Sequence, residues 1–264
     1  MKLALLFAFT TLAALAQFQD NREKKLTCDQ NRSSSRPRFC EITEQTVSSQ
    51  SLWTIDSGGN GGITVRGWSG RETLVRAKVE SWGESDSAAS LLGGQVQVDV
   101  TPGQVRASGP QAQGKAGWAV SFEVFVPHAT SLNLQARNGG IHLSDVRGRL
   151  EFKTTNGGIH VDRVAGEVTG STTNGGVHVN LSGGRWEGGP IQLSTTNGGV
   201  HLALPADTAA QVRARTTNGG VHSDFPLPNF ERNHRPSQFE FNIGAGGPLI
   251  NLSTTNGGVH IQRL

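Results

Sequence analysis

The heptapeptide TTNGGVH stands four times in this chain, at residues 172–178, 195–201, 216–222 and 254–260. TTNGGIH at 154–160 differs from it by one methylene, and ARNGGIH at 136–142 is a looser copy. The asparagines of the NGG triplets fall at 60, 138, 156, 174, 197, 218 and 256, so the gaps from 138 onward are 18, 18, 23, 21 and 38 residues. The last gap is close to two periods. Self-similarity at a near-constant period marks a repeat architecture, in which each unit buries its apolar face only against its neighbours.

Hydrophobic alternation assigns the faces. Aligning NGGIHLSDVRGRLEFKTT (138–155) with NGGIHVDRVAGEVTGSTT (156–173) gives two alternating runs and two glycine turns per unit, the second turn at Gly148 or Gly166 and at Gly184 in the third unit. Leu150, Phe152 and Thr154 point to one face, Glu151, Lys153 and Thr155 to the other. Leu132/Leu134, Ile191/Leu193 and Ile250/Leu252 repeat the pattern. After each turn an apolar pair such as Ile159 and Val161 flanks the histidine, which places the imidazole on the solvent side between two core positions. Asn-Gly between alternating runs also fits an antiparallel meander of hairpins. A meander does not require identical residues at every second turn, whereas a stack of coils about 4.8 Å apart does reward it, because like side chains ladder on like. An outer-membrane barrel needs aromatic girdles and an apolar outer band, and this chain has no Tyr. The expected fold is all-β: a single-stranded parallel β-solenoid (β-helix) with coils of 18–23 residues, each with two strands and two Gly turns.

Ahead of the regular units, ITVRGW (63–68), ETLVRAKVES (72–81), QVQVDVT (95–101), QVRASG (104–109) and WAVSFEVFVP (118–127) read as strands, and SDSAASLL (85–92) as a short helix or lid. HSDFPLPNFERNHRPSQF (222–239) breaks the period with three prolines and reads as an excursion from the stack. The first sixteen residues have the pattern of a cleaved signal peptide, with Lys2, an apolar run too short for a membrane span, and Ala14-Leu15-Ala16 before the cleavage point. The expected organisation is therefore a signal peptide over 1–16, a poorly packed leader over 17–50, and one elongated β-solenoid over 51–264, with irregular coils at 51–137 and regular coils at 138–264. Export places the protein in a secreted or periplasmic setting, where the only two cysteines, Cys28 and Cys40, are expected to close a small polar loop as a disulfide. No transmembrane segment is expected. The formal net charge of +3 is too small to imply a nucleic-acid partner.

WAVSFEVFVP, SLNLQARNGGIHLSDVRG, the run of TTNGG units and the late NIGAGG stretch together resemble the bacterial putative-adhesin domain family, over roughly residues 50–264. The resemblance implies a β-solenoid at a bacterial cell envelope. It implies no activity and supplies no catalytic residues.

The six repeated histidines, His142, His160, His178, His201, His222 and His260, would form a stripe one strand spacing apart. Such a stripe can be a duplicated surface position, a metal-capturing pair or a pH-sensitive face. The pattern favours the first, and no metal site or cofactor is assigned. The asparagines Asn138, Asn156, Asn174, Asn197, Asn218 and Asn256 are assigned to the turns, since Asn and Gly tolerate positive φ and amides can bond along a ladder of their own copies. No catalytic residues are assigned: the acids between 138 and 264 share no common offset, and no Ser or Cys nucleophile motif appears. Trp186, in SGGRWEGGP, is singled out for ligand contact because it falls in an inserted loop. The functional expectation is a non-enzymatic, adhesin-like or scaffold module of the cell envelope, meeting a glycan or envelope surface by multivalent weak contact. The alternatives are a polysaccharide-active β-helix enzyme and a metal-binding or pH-responsive periplasmic protein. A terminal rung ending in IQRL invites end-to-end self-association.

Overall fold

A computed structural model describes residues 26–28, 38–111, 114–181, 186, 188–226 and 238–264. The expected signal peptide, part of the leader, the Gly184 turn and most of the proline-rich excursion lie outside them. Among the described residues the fold is all-β, with nineteen strands and a single short helix, α1 (Asp86–Gly93), capped by the Ser85 side chain.

The repeats pair as the ladder argument requires. On one side, β3 (Ile63–Trp68), β9 (Ile141–Ser144), β11 (Ile159–Asn174), β12 (Val177–Leu181), β14 (Val200–Leu204), β19 (Val259–Arg263) and β16 (Val221–Ser223) pair in parallel, each in register with the next. On the other side the parallel series is β6 (Gln104–Ser108), β2 (Leu52–Asp56), β8 (Ser131–Gln135), β10 (Arg147–Asn156), β11, β13 (Ile191–Asn197), β18 (Leu249–Asn256) and β15 (Ala210–Asn218). Strand β11 belongs to both series and runs through the Gly166 corner. Gly166 has φ 111°, and a Cβ there would meet the Gly148 carbonyl oxygen at 2.0 Å, so only glycine fits.

The core lies between the two series. Ile141, Ile159, Val177, Val200 and Val259 form one buried row, and Leu132, Leu150, Val168, Ile191 and Ile250 face it from the other side. Gly170 takes the place of a large residue in the row that holds Phe152 and Leu193. The Phe152 ring fills that space, 2.0 Å from where a Gly170 Cβ would stand.

The structure departs from a uniform parallel solenoid. β4 (Glu72–Trp82) and β7 (Gly117–Pro127) pair antiparallel, as do β5 (Gln97–Thr101) with β6 and β15 with β17 (Gln238–Ile243). The sheet is mixed, with antiparallel strands at its ends. Residues 38–48 of the expected leader form β1 (Arg38–Ser48), which pairs with β4 over its whole length. Its side chains are mostly exposed, so the partner strand and not burial defines it. Cys28 and Cys40 are joined by a disulfide with the Cα atoms 5.8 Å apart, tying the preceding chain to this edge strand. The parallel ladders extend ahead of residue 138, since the 52–68 segment stacks in register on 131–144.

The order of the last units also differs from chain order. The 38-residue gap does not hold two further coils. The chain forms β15 and β16, pairs β17 antiparallel with β15, and then inserts β18 and β19 between the two preceding units. The rung ending in IQRL is therefore interior. Among the described residues, the edge strands at this end of the stack are β16 and β17.

Candidate functional site: the stacked NGGxH turns

Each letter of the repeat has a defined place. The first Thr is buried, and its hydroxyl donates to the first-Gly carbonyl of the adjacent rung: Thr154 to Gly139 at 2.9 Å, Thr172 to Gly157 at 3.0 Å, and Thr195 to Gly175, Thr254 to Gly198 and Thr216 to Gly257 at 2.8 Å. The second Thr is exposed. The asparagines form a continuous amide ladder in which each Nδ2 donates to the Oδ1 of the rung before it, in the order 60, 138, 156, 174, 197, 256, 218, at 2.7–2.9 Å. Asn60 closes the series by donating to the Trp118 carbonyl at 3.1 Å.

The two glycines meet different neighbours. A Cβ on the first would collide with the same glycine's carbonyl oxygen one rung away, at 2.2 Å for Gly157 and Gly175, 2.1 Å for Gly198 and 2.0 Å for Gly257. A Cβ on the second would meet the imidazole of its own repeat: 2.9 Å from His178 Nε2 at Gly176, 3.1 Å from His201 Nε2 at Gly199 and 2.9 Å from His260 Nε2 at Gly258. The histidine thus folds back over the bare second glycine. This is a packing role that spacing alone did not reveal.

The histidines stack face to face. Ring centroids lie 5.2 Å apart for His142–His160, 4.9 Å for His160–His178, 4.5 Å for His178–His201 and 4.6 Å for His201–His260, with planes within 10° of parallel. His222, on the edge strand, is tilted 49° to His260 at 6.0 Å. At the other end the position paired with His142 is Thr64. Loss of solvent around the ring, followed by the charge of neighbouring imidazoles, holds His142, His178 and His201 below the ordinary imidazole range. Zn–N bonds near 2.0–2.1 Å keep two ligating nitrogens within about 4.2 Å. Parallel rings 4.5–5.2 Å apart point their in-plane lone pairs alongside one another rather than at one ion. Among the described residues no group of three or more His, Cys, Asp or Glu is arranged to hold a metal.

Trp186 is only 5% exposed and packs within the hydrophobic core, against Gly188. A ring so enclosed offers little surface for the ligand contact expected of it. The apolar interior of the stack takes up the large aromatic. Several acids are engaged by neighbours: Asp145 is ion-paired with Nε and Nη2 of Arg163 at 2.7 and 2.8 Å, Glu240 with Arg213 at 3.0 Å, and Asp162 accepts a hydrogen bond from Asn180 at 2.6 Å. Asp145 is accordingly held below the usual carboxylate range, chiefly by its hydrogen bond to Arg163.

The outward face of the other parallel series carries the second repetitive feature. Three consecutive rungs align Thr169, Ser171 and Thr173 with Gln192, Ser194 and Thr196, and these with Asn251, Ser253 and Thr255. All nine are uncharged and none is buried. Charged rungs flank them, with Glu151 and Lys153 on one side and Arg213 and Arg215 on the other.

The arrangement defines an all-β protein built on stacked, in-register Asn-Gly-Gly turns. Residues 94–262 match the family described as Toastrack DUF4097, and the chain belongs to it. Solved structures of similar shape include a putative cell adhesion protein from Clostridium sporogenes ATCC 15579, at 11% identity and TM-score 0.46, covering 86% of this chain and 100% of that one. A putative adhesin from Bacteroides fragilis NCTC 9343 aligns at 12% identity and TM-score 0.40 over 85% of this chain and 97% of that one. A putative adhesin from Parabacteroides distasonis ATCC 8503 gives 11% identity and TM-score 0.35 over the same shares. A search of curated proteins returned no match. Among the described residues no helix is long and apolar enough to cross a membrane.

Proposed function

We propose that this protein is a non-enzymatic, adhesin-like module of the bacterial cell envelope, secreted or periplasmic. Its regular half is a β-solenoid whose polar face makes multivalent weak contact with a glycan. The observation that carries this reading is the uncharged set of nine residues on three in-register rungs, from Thr169 to Thr255. Rungs about 4.8 Å apart, with outward residues about 6.8 Å apart along each strand, present hydroxyls and amides as a regular grid. Each such group both donates and accepts, as glycan hydroxyls do. Single contacts of this kind are weak, but linking several on one rigid face multiplies their effect. The arginine partners of Asp145 and Glu240 leave these acids engaged in ion pairs and speak against the polysaccharide-active alternative.

The test is co-sedimentation of the purified chain with peptidoglycan sacculi, together with binding measurements on soluble polysaccharides. Binding without release of new reducing ends is expected, and Ser194→Lys with Thr196→Lys should weaken it about ten-fold or more, since the central rung joins the other two. Binding that ignores this double substitution, or no binding to any of these glycans, would remove the proposal. A second reading, a pH-responsive face, is favoured by the stacked imidazoles, and its measurement is the pH dependence of stability.

A further inference from the structure

The C-terminal rung occupies a slot whose walls are built from earlier parts of the chain. β18 lies between β13 and β15, and β19 between β14 and β16. The walls are therefore residues 191–204 and 210–223, and the plug is 249–264. Each wall offers a strand edge with backbone groups ready to pair. The plug also completes two side-chain ladders. Asn256 donates to Asn197 and accepts from Asn218 at 2.8 Å, and the His260 ring stacks on His201 at 4.6 Å.

Two features make this plug separable. It is reached through the hinge GAGGP (244–248), which wraps over the start of β15; Gly244 and Gly246 stand at φ 59° and 78°, and the Pro248 carbonyl accepts from Gln211 N at 3.2 Å. Its far end is held by an exposed latch, where Arg263 N donates to Asp224 Oδ2 at 3.2 Å and the guanidinium lies over the Phe225 ring at 5.0 Å.

We propose that the slot accepts the C-terminal rung of a second copy of this chain, so that residues 249–264 are exchanged between molecules as a donated strand. An identical donor reproduces every hydrogen bond and ring contact of the plug. The difference between closed and exchanged forms reduces to the hinge conformation and the entropy of association. A tethered rung has an effective concentration on the order of millimolar, so the closed monomer prevails in dilute solution and exchange grows with local concentration. Reciprocal exchange gives a closed dimer, and one-way donation extends a chain of molecules. The inference does not depend on what the polar face binds.

The test uses full-length chains. Ser194 and Ser253 are register partners across the wall and the plug, neither of them buried. One chain carrying Ser194→Cys is mixed with another carrying Ser253→Cys and oxidised under mild conditions. An intermolecular 194–253 disulfide should form at an initial rate that rises about four-fold when the concentration of each partner is doubled, and Arg263→Ala should accelerate it. The double variant in one chain should close within that chain, which reports that the slot is folded. Thr169→Cys paired with Ser253→Cys is the background, since Thr169 faces Gln192 and not the plug. A mixture that crosslinks no faster than this background, while the double variant closes, overturns the proposal. A readout without substitutions stands beside it. The unmodified chain, brought to about millimolar concentration and diluted, should retain slowly relaxing dimers. If it is wholly monomeric after that treatment, the proposal also fails.

Discussion

At the residue scale, two adjacent glycines with the same sequence signal do different work. Gly175 has its Cβ position 2.2 Å from the Gly157 carbonyl oxygen, a fixed backbone atom, whereas Gly176 faces the movable tip of His178 at 2.9 Å. Gly175→Ala should therefore cost about 3 kcal/mol or more, because two rungs must separate. Gly176→Ala should cost about 1 kcal/mol or less, because the imidazole can swing aside. Urea titration of both variants measures the difference, and equal losses would refute the assignment. The histidines make a second prediction. His142, His178 and His201 bind protons less readily folded than unfolded, mainly through lost solvation and then through their stacked neighbours. The unfolded chain thus takes up more protons, so this contribution to stability is whole above about pH 6.5 and is lost as pH falls through the lower folded values. Asp145 acts in a separate, more acidic window, because its folded pKa lies below 3.8. Melting temperature should decline as pH falls from 7.5 to 5, and His178→Gln should flatten that slope; a flat profile in the parent chain would exclude the effect. The turn chemistry of Asn and Gly and the outward aspect of His were legible from spacing. The packing of the ring on the second glycine was not, because it depends on the side-chain torsion and not on periodicity.

At the element scale, local alternation carried most strands of the stack and missed β1, whose residues are mostly exposed. ITVRGW was read as 63–68 and is β3 over those residues, and the helix read at 85–92 is α1 with Ser85 as its cap. β1 escaped because its order comes from pairing with β4, more than twenty residues away in sequence. The same pairing sets up a charged row across three strands. Glu44 of β1 and Glu123 of β7 both face Arg76 of β4, with Arg76 Nε 2.6 Å from Glu44 and Nη1 3.0 Å from Glu123. Glu123 is only 3% exposed, while the Glu44 side chain is 51% exposed. Arg76→Ala leaves a carboxylate buried without its cation and should cost about 3 kcal/mol or more. Glu44→Ala removes only the exposed partner and should cost about 1 kcal/mol or less. Thermal or chemical denaturation separates the two, and similar losses would mean that the row acts through packing of the guanidinium on Phe125, 5.4 Å away, and not through the buried charge.

At the scale of the whole molecule, the identity of the repeats is what hid their order. TTNGGVH at 195–201, 216–222 and 254–260 carries no letter that tells one rung from another. Chain order was the natural guess, and long-range pairing overrides it by placing the last unit between the two before it. The excursion through β17 makes this arrangement feasible. β17 covers the far side of β15, so the returning chain finds the near side open. A consequence follows for local stability. Edge strands open more readily than strands paired on both sides. β18 is paired on both sides, while β17 is paired to β15 alone among the described residues. Opening β18 breaks two hydrogen-bonded ladders and exposes Ile250 and Leu252, both fully buried. Native-state hydrogen exchange should therefore find the amides of 250–256 more protected than those of 239–243, and β18 and β19 should share one opening free energy as a single rung. Faster exchange in 250–256 than in 239–243 would show that the interior placement of β18 does not govern its stability.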